Sequence, residues 1–343
     1  MSKPVVFPAL SVRDVPNAGA WPSGRADHAS EALAFLTLAA IRGVGHKTLS
    51  DLAEGGHRFA DLLDEAPVDL LVRRALGGRD HPRANSEDIM RDARAAAIGM
   101  SDRLSRMGVR LLFRDDPHFP RAMLDLDHPP HWLFVQGAMA PLAMPAVAIV
   151  GTRKPSEDGL FLARYVGACL CDWQAATVSG LATGIDQLAH ESSLRAGVPT
   201  IAVLGTGILD NYPKGSDLLR KRILEAGGTI ISEYLPRASY SAENFVQRNR
   251  LQAALGRALI PVEWARRSGT AHTVRFATAL RRPLACLRLA DWPGGRLLLE
   301  PGVGRETGEI FTVPREQDAF DRFVRSALLA APPAGQLSLF DEE

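Results

Sequence analysis

Six short apolar runs recur through the middle of the chain, each followed by a stretch of helical length. They are Ala146–Val150, Ala176–Ser179, Thr200–Leu204, Thr229–Ser232, Ala258–Val262 and Pro283–Leu287. Nearly continuous apolar strands, rather than alternating ones, mark burial on both faces. Strands that alternate with helices imply parallel crossovers. The pattern therefore predicts an α/β fold, an extended Rossmann-like, doubly wound and mainly parallel sheet. Ligands of such sheets sit beyond the carboxyl ends of the strands, so chemistry is expected just after each run.

Around this centre the organisation changes. Residues 1–28 are punctuated by Pro, Gly and Ala without periodicity and are expected to be disordered. Residues 29–107 read as an N-terminal helical domain. In it Leu33, Leu36, Leu38 and Ile41 form an apolar stretch ending at Gly43-Val44-Gly45. Ser86, Glu87 and Asp88 suit the cap and acidic first turn of a helix running toward Met107. The sheet domain is expected over 108–290, entered through the apolar runs Val109–Phe113 and Trp132–Val135. An extension over 291–329 shows a strand-like run near Leu297–Leu299 and a helix near Glu316–Leu329. Residues 330–343 read as a flexible tail.

At 343 residues, 46% apolar and 23% charged, the chain suits a globular protein with room for two domains. No run approaches the ~18 apolar residues of a membrane span, and no apolar leader opens the chain. With only three cysteines and no bridge pattern among them, a cytoplasmic location is expected. Cys169, Cys171 and Cys286 lack metal-ligand spacing, and no metal or cofactor is implied. A net charge of +1 excludes a uniform polycation. Yet between Arg237 and Arg288 ten arginines face only Glu243 and Glu263, which points to a localised polyanion site.

The loops sharpen this. After the first strand come Gly151, Thr152, Arg153, Lys154, Pro155, Ser156 and Gly159. Glycine allows close approach to an anion, the following helix offers free N–H groups, and Arg153 adds a forked donor. This is neither the dinucleotide fingerprint nor a Walker A loop. Gly180 and Gly184 follow the second strand, Gly205 and Gly207 the third. Three such loops at one edge suggest a phosphate-lined crevice. Asp186 and His190 are four residues apart on one helix, a spacing open to an acid/base dyad or to local satisfaction of the acid. The segment Asn244-Phe245-Val246-Gln247-Arg248-Asn249-Arg250 can stack a base, clamp phosphates and hydrogen-bond base edges. Arg266 and Arg267, with Ser268, Gly269 and Thr270, place basic and hydroxyl groups at a helix start.

Taken together, these loops resemble the DprA (Smf) family of bacterial DNA-processing proteins. The resemblance runs from Val147 to Arg153 with Ser156 and Gly159, and through Ser179–Ala182 and Gly184–Asp186 with Ala189-His190. It continues at Ile201–Gly207, Tyr212-Pro213, Ser232-Glu233, Asn244-Phe245 with Arg248-Asn249-Arg250, and Ser268–Thr270. Upstream, Phe119-Pro120, Pro129-Pro130, Leu133-Phe134 and Gly137 also fit. The resemblance implies a homodimer that binds single-stranded DNA, loads the RecA recombinase and is not an enzyme. It implies that Arg153 and Lys214 hold phosphates and that Phe245 meets a base between Arg248 and Arg250. The chain departs from the family at Thr183, Val246, Gln247 and Cys286-Leu287-Arg288, and residues after 290 show no winged-helix pattern.

Two smaller motifs add expectations. Ile41–Thr48 with Leu49 and Leu52 resembles a helix-hairpin-helix of SAM-like type, in which Gly43, Gly45 and Lys47 would meet a DNA phosphate or serve only as a compact turn. Gln336, Leu337, Ser338, Leu339 and Phe340 resemble the pentapeptide that docks bacterial polymerases and repair factors on the sliding clamp. Two alternatives compete with the DNA-binding reading. One is a regulator on the same scaffold with a toxin or phage-defence partner. The other is a nucleotide-binding or nucleotide-hydrolysing enzyme, although the Pro-Gly-Gly-x-Gly-Thr loop of such relatives is absent from the fifth strand.

Overall fold

A computed structural model of the chain describes residues 26–65, 86–291 and 308–330. Helices α1 (Ala26–Ala40), α2 (His46–Glu54), α3 (Phe59–Glu65) and α4 (Ser86–Arg106) come first. Strands β1 (Val109–Phe113) and β2 (Trp132–Gly137) follow. Then β3 (Ala146–Gly151), α5 (Glu157–Trp173), β4 (Ala176–Ser179), α6 (Ile185–Ala196), β5 (Thr200–Val203), α7 (Asp217–Glu225), β6 (Thr229–Ser232), α8 (Ala242–Leu255), β7 (Ala258–Val262), α9 (Gly269–Ala279) and β8 (Leu284–Leu289) alternate. Strand β9 (Gly308–Val313) and α10 (Gln317–Leu329) close the described chain.

The nine strands among the described residues join one sheet in the order β1-β2-β6-β5-β4-β3-β7-β8-β9. From β6 to β9 every pairing is parallel, whereas β1–β2 and β2–β6 are antiparallel. The chain winds outward from β3 to β6, then restarts on the other side of β3 with β7. The crevice between β3 and β7 is therefore the topological switch point, where this fold class places its ligands.

Burial explains the apolar runs. In β3, Val147 and Ile149 face a core formed with α5, α6 and α10, while Ala146, Ala148 and Val150 face one formed with α8 and α9. Period-2 alternation is thus present, but both faces are apolar. A third core joins the N-terminal helices to the sheet, with Phe35, Leu38 and Leu49 packed among Leu111, Phe113, Trp132, Phe134 and Ile230. These helices share their interior with the β1–β2–β6 edge.

Three details depart from expectation. Helix α1 begins at Ala26, inside the segment expected to be disordered, and His28 Nε2 lies 3.0 Å from the Leu111 carbonyl oxygen, tying its first turn to the sheet. Strand β9 has a weak pattern of its own, and its pairing with β8 along Leu284–Leu289 stabilises it. The arginines of 237–288 do not form one patch. Arg248, Arg250, Arg257, Arg282 and Arg288 are bound to carbonyl, carboxylate or hydroxyl groups of the protein. Arg237, Arg266, Arg267, Arg275 and Arg281 remain exposed. The strand-like run near Leu297–Leu299, residues 1–25 and the 336–340 pentapeptide lie outside the described residues. Among the described residues, no helix is long and apolar enough to cross a membrane.

Candidate nucleic-acid interface

Five loops converge at the carboxyl ends of β3 to β7. The turn after β3 carries Arg153, exposed, with its guanidinium carbon 5.4 Å from the Phe245 ring centroid. Phe245 sits in the first turn of α8, whose start is set by Ser241: its Oγ accepts the Asn244 N–H at 3.0 Å. The ring lies so close over Gly205, after β5, that a Cβ there would stand 2.5 Å from Phe245 Cδ1. Only glycine admits the ring. Tyr212 tilts against Phe245 at 5.1 Å and stacks on Tyr240 at 4.7 Å with 27° between planes. Tyr240 is 60% exposed. Phe245, Tyr212 and Tyr240 thus form a run of aromatic rings with a guanidinium over one end.

Arg248 lies beneath this run. It is buried, its guanidinium carbon is 5.7 Å from the Phe245 centroid, and it donates to the Gly180 and Val203 carbonyl oxygens. Asp186 Oδ2 accepts the Gly180 N–H at 3.1 Å. A side chain at residue 180 would collide with both Arg248 and Asp186. Burial pushes the Asp186 carboxyl up, opposed by Arg248 and by backbone N–H groups, and burial lowers the Arg248 guanidinium. Asp186 and His190 do not form a dyad. His190 Nδ1 pairs with Thr200 Oγ1 at 2.7 Å, and burial followed by Arg248 drives its imidazole down to about 3. The pair is a buried support for the loops.

At the switch point the position expected to take a phosphate is filled from within. The Ser156 N–H donates to Glu263 Oε2 at 2.7 Å, and the Thr152 N–H donates to the Glu263 carbonyl oxygen at 2.9 Å. Ser156 Oγ caps α5 by accepting the Gly159 N–H. A helix N-terminus favours an anion, and here Glu263 supplies it. The Gly-bearing loops accordingly pack on one another and on their neighbours instead of framing an open phosphate crevice. Gly151, at the end of β3, is packed between Val262 and Ile185.

The remaining predicted positions surround the run. Lys214 is exposed in the loop that carries Tyr212. The Asn244 carbonyl oxygen accepts the Tyr234 hydroxyl at 2.8 Å. Asn249 Nδ2 donates to the Gly269 carbonyl oxygen at 3.0 Å, joining α8 to α9. Ser268 caps α9 through the Ala271 N–H, and Gly269 faces open space. Arg250 points to the other side of α8 and pairs with buried Glu233 at 2.5 Å. The helical hairpin stands apart: Gly43 turns at φ +95°, Gly45 precedes α2, and Lys47 Nζ is 3.0 Å from Asp51.

Sequence reasoning did not single out Tyr240, Tyr212 as its stacking partner, or Glu263. A lone aromatic between Ser239 and Ser241, just before a capped helix, is the signal that could have found Tyr240. Glu263 had no local signal, because its partner Ser156 is 107 residues away.

The family model of DNA recombination-mediator protein A matches residues 110–295. Protein Smf of Synechocystis sp. is 37% identical over 182 residues, which are 52% of this chain and 46% of that protein. DNA processing protein DprA of Streptococcus pneumoniae is 37% identical over 165 residues, 47% of this chain and 57% of that one. The chain spans about half the length of the curated relatives it matches. Among solved structures, DNA processing protein A of S. pneumoniae aligns with a TM-score of 0.56 and 25% identity, covering 85% of this chain and 95% of that one. DNA processing protein A of Helicobacter pylori, described for its single-stranded DNA binding mode, aligns with a TM-score of 0.54 and 27% identity over 64% of this chain and 96% of its own.

Proposed function

The chain belongs to the DNA recombination-mediator protein A family, and from that premise we propose that it binds single-stranded DNA along the carboxyl edge of its sheet. The observation that carries this reading is the aromatic run Phe245–Tyr212–Tyr240 with Arg153 poised over one end. Stacking on aromatic rings beside cations is how unpaired strands are held without sequence preference. Arg153 and Lys214 take phosphates, and the three rings take bases. Arg248 acts through Phe245, which it positions. Ser268 and Gly269, with Arg266 and Arg267, extend the track past α9. The Helicobacter pylori relative supports the same ligand.

The wider role we propose is DNA processing and recombination in the cytoplasm, as a homodimer that hands the strand to RecA and docks on the sliding clamp through Gln336–Phe340. Binding, not turnover, is the activity. The carboxylate of Glu263 at the switch point supports this over nucleotide hydrolysis, because it repels a phosphate at the place where such folds hold one.

Fluorescence anisotropy of labelled oligo-dT and its duplex at two salt concentrations tests the proposal. Wild type should prefer the single strand and weaken with salt as released counterions compete. Arg153→Ala combined with Tyr240→Ala should lose that binding while the far-UV spectrum stays native. Equal binding by the double variant would sink the site. Surface plasmon resonance on immobilised sliding clamp tests the pentapeptide: Leu339→Ala with Phe340→Ala should abolish docking, and retained docking would remove that part of the proposal.

A further inference from the structure

Beside the interface, on the other side of α8, lies a cavity of ≈ 340 Å³ lined by α2, the segment before β2, and the end of β6. Its polar interior is Glu233 with Arg250, one joined to the other by a single contact from Arg250 Nη2 to Glu233 Oε2 at 2.5 Å. Glu233 is 2% exposed, yet its Oε1 has no hydrogen-bond partner, and Arg250 Nη1 has none either. A buried carboxylate oxygen and a buried guanidinium N–H left unmatched each carry a free-energy cost. Both side chains line the cavity, and a ligand with one donor and one acceptor that drew these two atoms into it would relieve both.

The walls restrict the ligand further. His46, His131 and Pro130 contribute flat or apolar surface around Trp132, whose indole N–H is fixed on the Glu233 carbonyl oxygen at 2.8 Å. The His46 ring lies 5.1 Å from Trp132 and 5.6 Å from Tyr234. Burial lowers the His46 and His131 imidazoles, which favours the uncharged ring. At the rim stand Asp51 and Glu54. Asp51 is paired with Lys47, Glu54 with His131 and Glu233 with Arg250, so the lining has no excess of positive charge to hold a phosphate. Among the described residues, no group of His, Cys, Asp and Glu is arranged to hold a metal ion.

We propose that this cavity is a second binding site, which takes an uncharged planar heterocycle with adjacent hydrogen-bond donor and acceptor, that is, a nucleobase without its phosphate. Every base edge offers that pairing, so the carboxylate–guanidinium edge reads the class more than one member. The base arrives either as a free nucleoside or as a base splayed from a neighbouring strand. The inference does not rest on strand binding, because nucleosides lack the phosphates that the interface holds.

Isothermal titration calorimetry of the full chain with each of the four deoxynucleosides tests it. Wild type should show saturable binding of at least one. Ser50→Trp fills the cavity from its half-exposed rim and should abolish that binding with an unchanged melting temperature. Glu233→Gln removes the charged acceptor and should weaken it by about tenfold, the scale of a lost charge-assisted hydrogen bond. No saturable binding of any deoxynucleoside by wild type would overturn the proposal, as would undiminished binding by Ser50→Trp. Oligo-dT anisotropy with Ser50→Trp separates the sources: weakened strand binding assigns the site to a strand base, and unchanged strand binding assigns it to free nucleosides.

Discussion

At the helical hairpin, Lys47 projects from the first turn of α2 and is held 3.0 Å from Asp51 on the same helix. At the sheet edge, Arg153 projects from the turn after β3 and lies over an aromatic ring, with no carboxylate paired to it among the described residues. Both are exposed cations next to glycine turns, and the same chemistry was expected of both. The surroundings set them apart. Helix α2 is committed to packing, with Leu49 in the core and His46 against Trp132 and Tyr234. Its turn serves the interior, and its lysine is already neutralised. Around Arg153, by contrast, the cation itself and Tyr240 are exposed and Phe245 and Tyr212 are half-buried, so this edge stays open to a ligand. A cation's readiness for a phosphate therefore depends on what the fold has placed beside it.

Breaking the support under the sheet edge should have the largest effect. Arg248→Ala leaves Asp186 buried without its nearby cation and removes the donor to the Gly180 and Val203 carbonyls. A loss of about 3–5 kcal/mol in stability is expected, read as a lower urea midpoint. A midpoint within error of wild type would mean that Arg248 does not hold the loops together.

Removing the upper layer should leave stability nearly intact and act on affinity. Phe245→Ala should weaken oligo-dT binding by about 1–3 kcal/mol, with Tyr240→Ala in the same direction. Arg153→Ala should also lower the salt dependence of binding by about one phosphate contact. If the salt slopes of wild type and Arg153→Ala coincide, Arg153 does not hold a phosphate.

Both regions rest on neutral imidazoles, and acid should loosen both. The folded His190 is driven down to about 3 from an ordinary value of 6.5, and His46 is lowered as well. The unfolded chain therefore binds more protons below pH 6.5. The stability that His190 contributes is complete above that pH and is lost progressively as pH falls toward 3, and His46 acts in the same direction. The slope is at most about 1.4 kcal/mol per pH unit for each group. Urea midpoints at pH 7 and pH 5 should show the fall, and His190→Gln should reduce it. A variant as acid-sensitive as wild type would place the effect elsewhere.

The smallest effect belongs to the hairpin cation. Lys47→Ala should change stability and oligo-dT affinity by no more than about 0.5 kcal/mol, because an exposed pair four residues apart contributes little. A tenfold loss of affinity would reverse the comparison and make the hairpin a DNA contact.

What could be read from the chain alone was whatever depends on near neighbours. The six apolar runs correspond to β3–β8 to within a few residues, because burial on both faces demands continuous apolar sequence. Ser156, Ser241 and Ser268 cap the helices that follow them, as local hydrogen-bonding chemistry requires. The loops at the carboxyl edge were legible for the same reason. The tertiary structure alone decided how those loops are used. Glu263 reaches Ser156 from 107 residues away, Arg250 turns to Glu233 across 17, and five of the ten arginines are spent inside the protein. It also brought Tyr212, Tyr240 and Phe245 into one run and docked the N-terminal helices on the antiparallel edge of the sheet. Such pairings are long-range and low in local signal. A side chain's charge and shape are written in its residue type, but which partner satisfies it is settled only when the folded chain brings distant segments together.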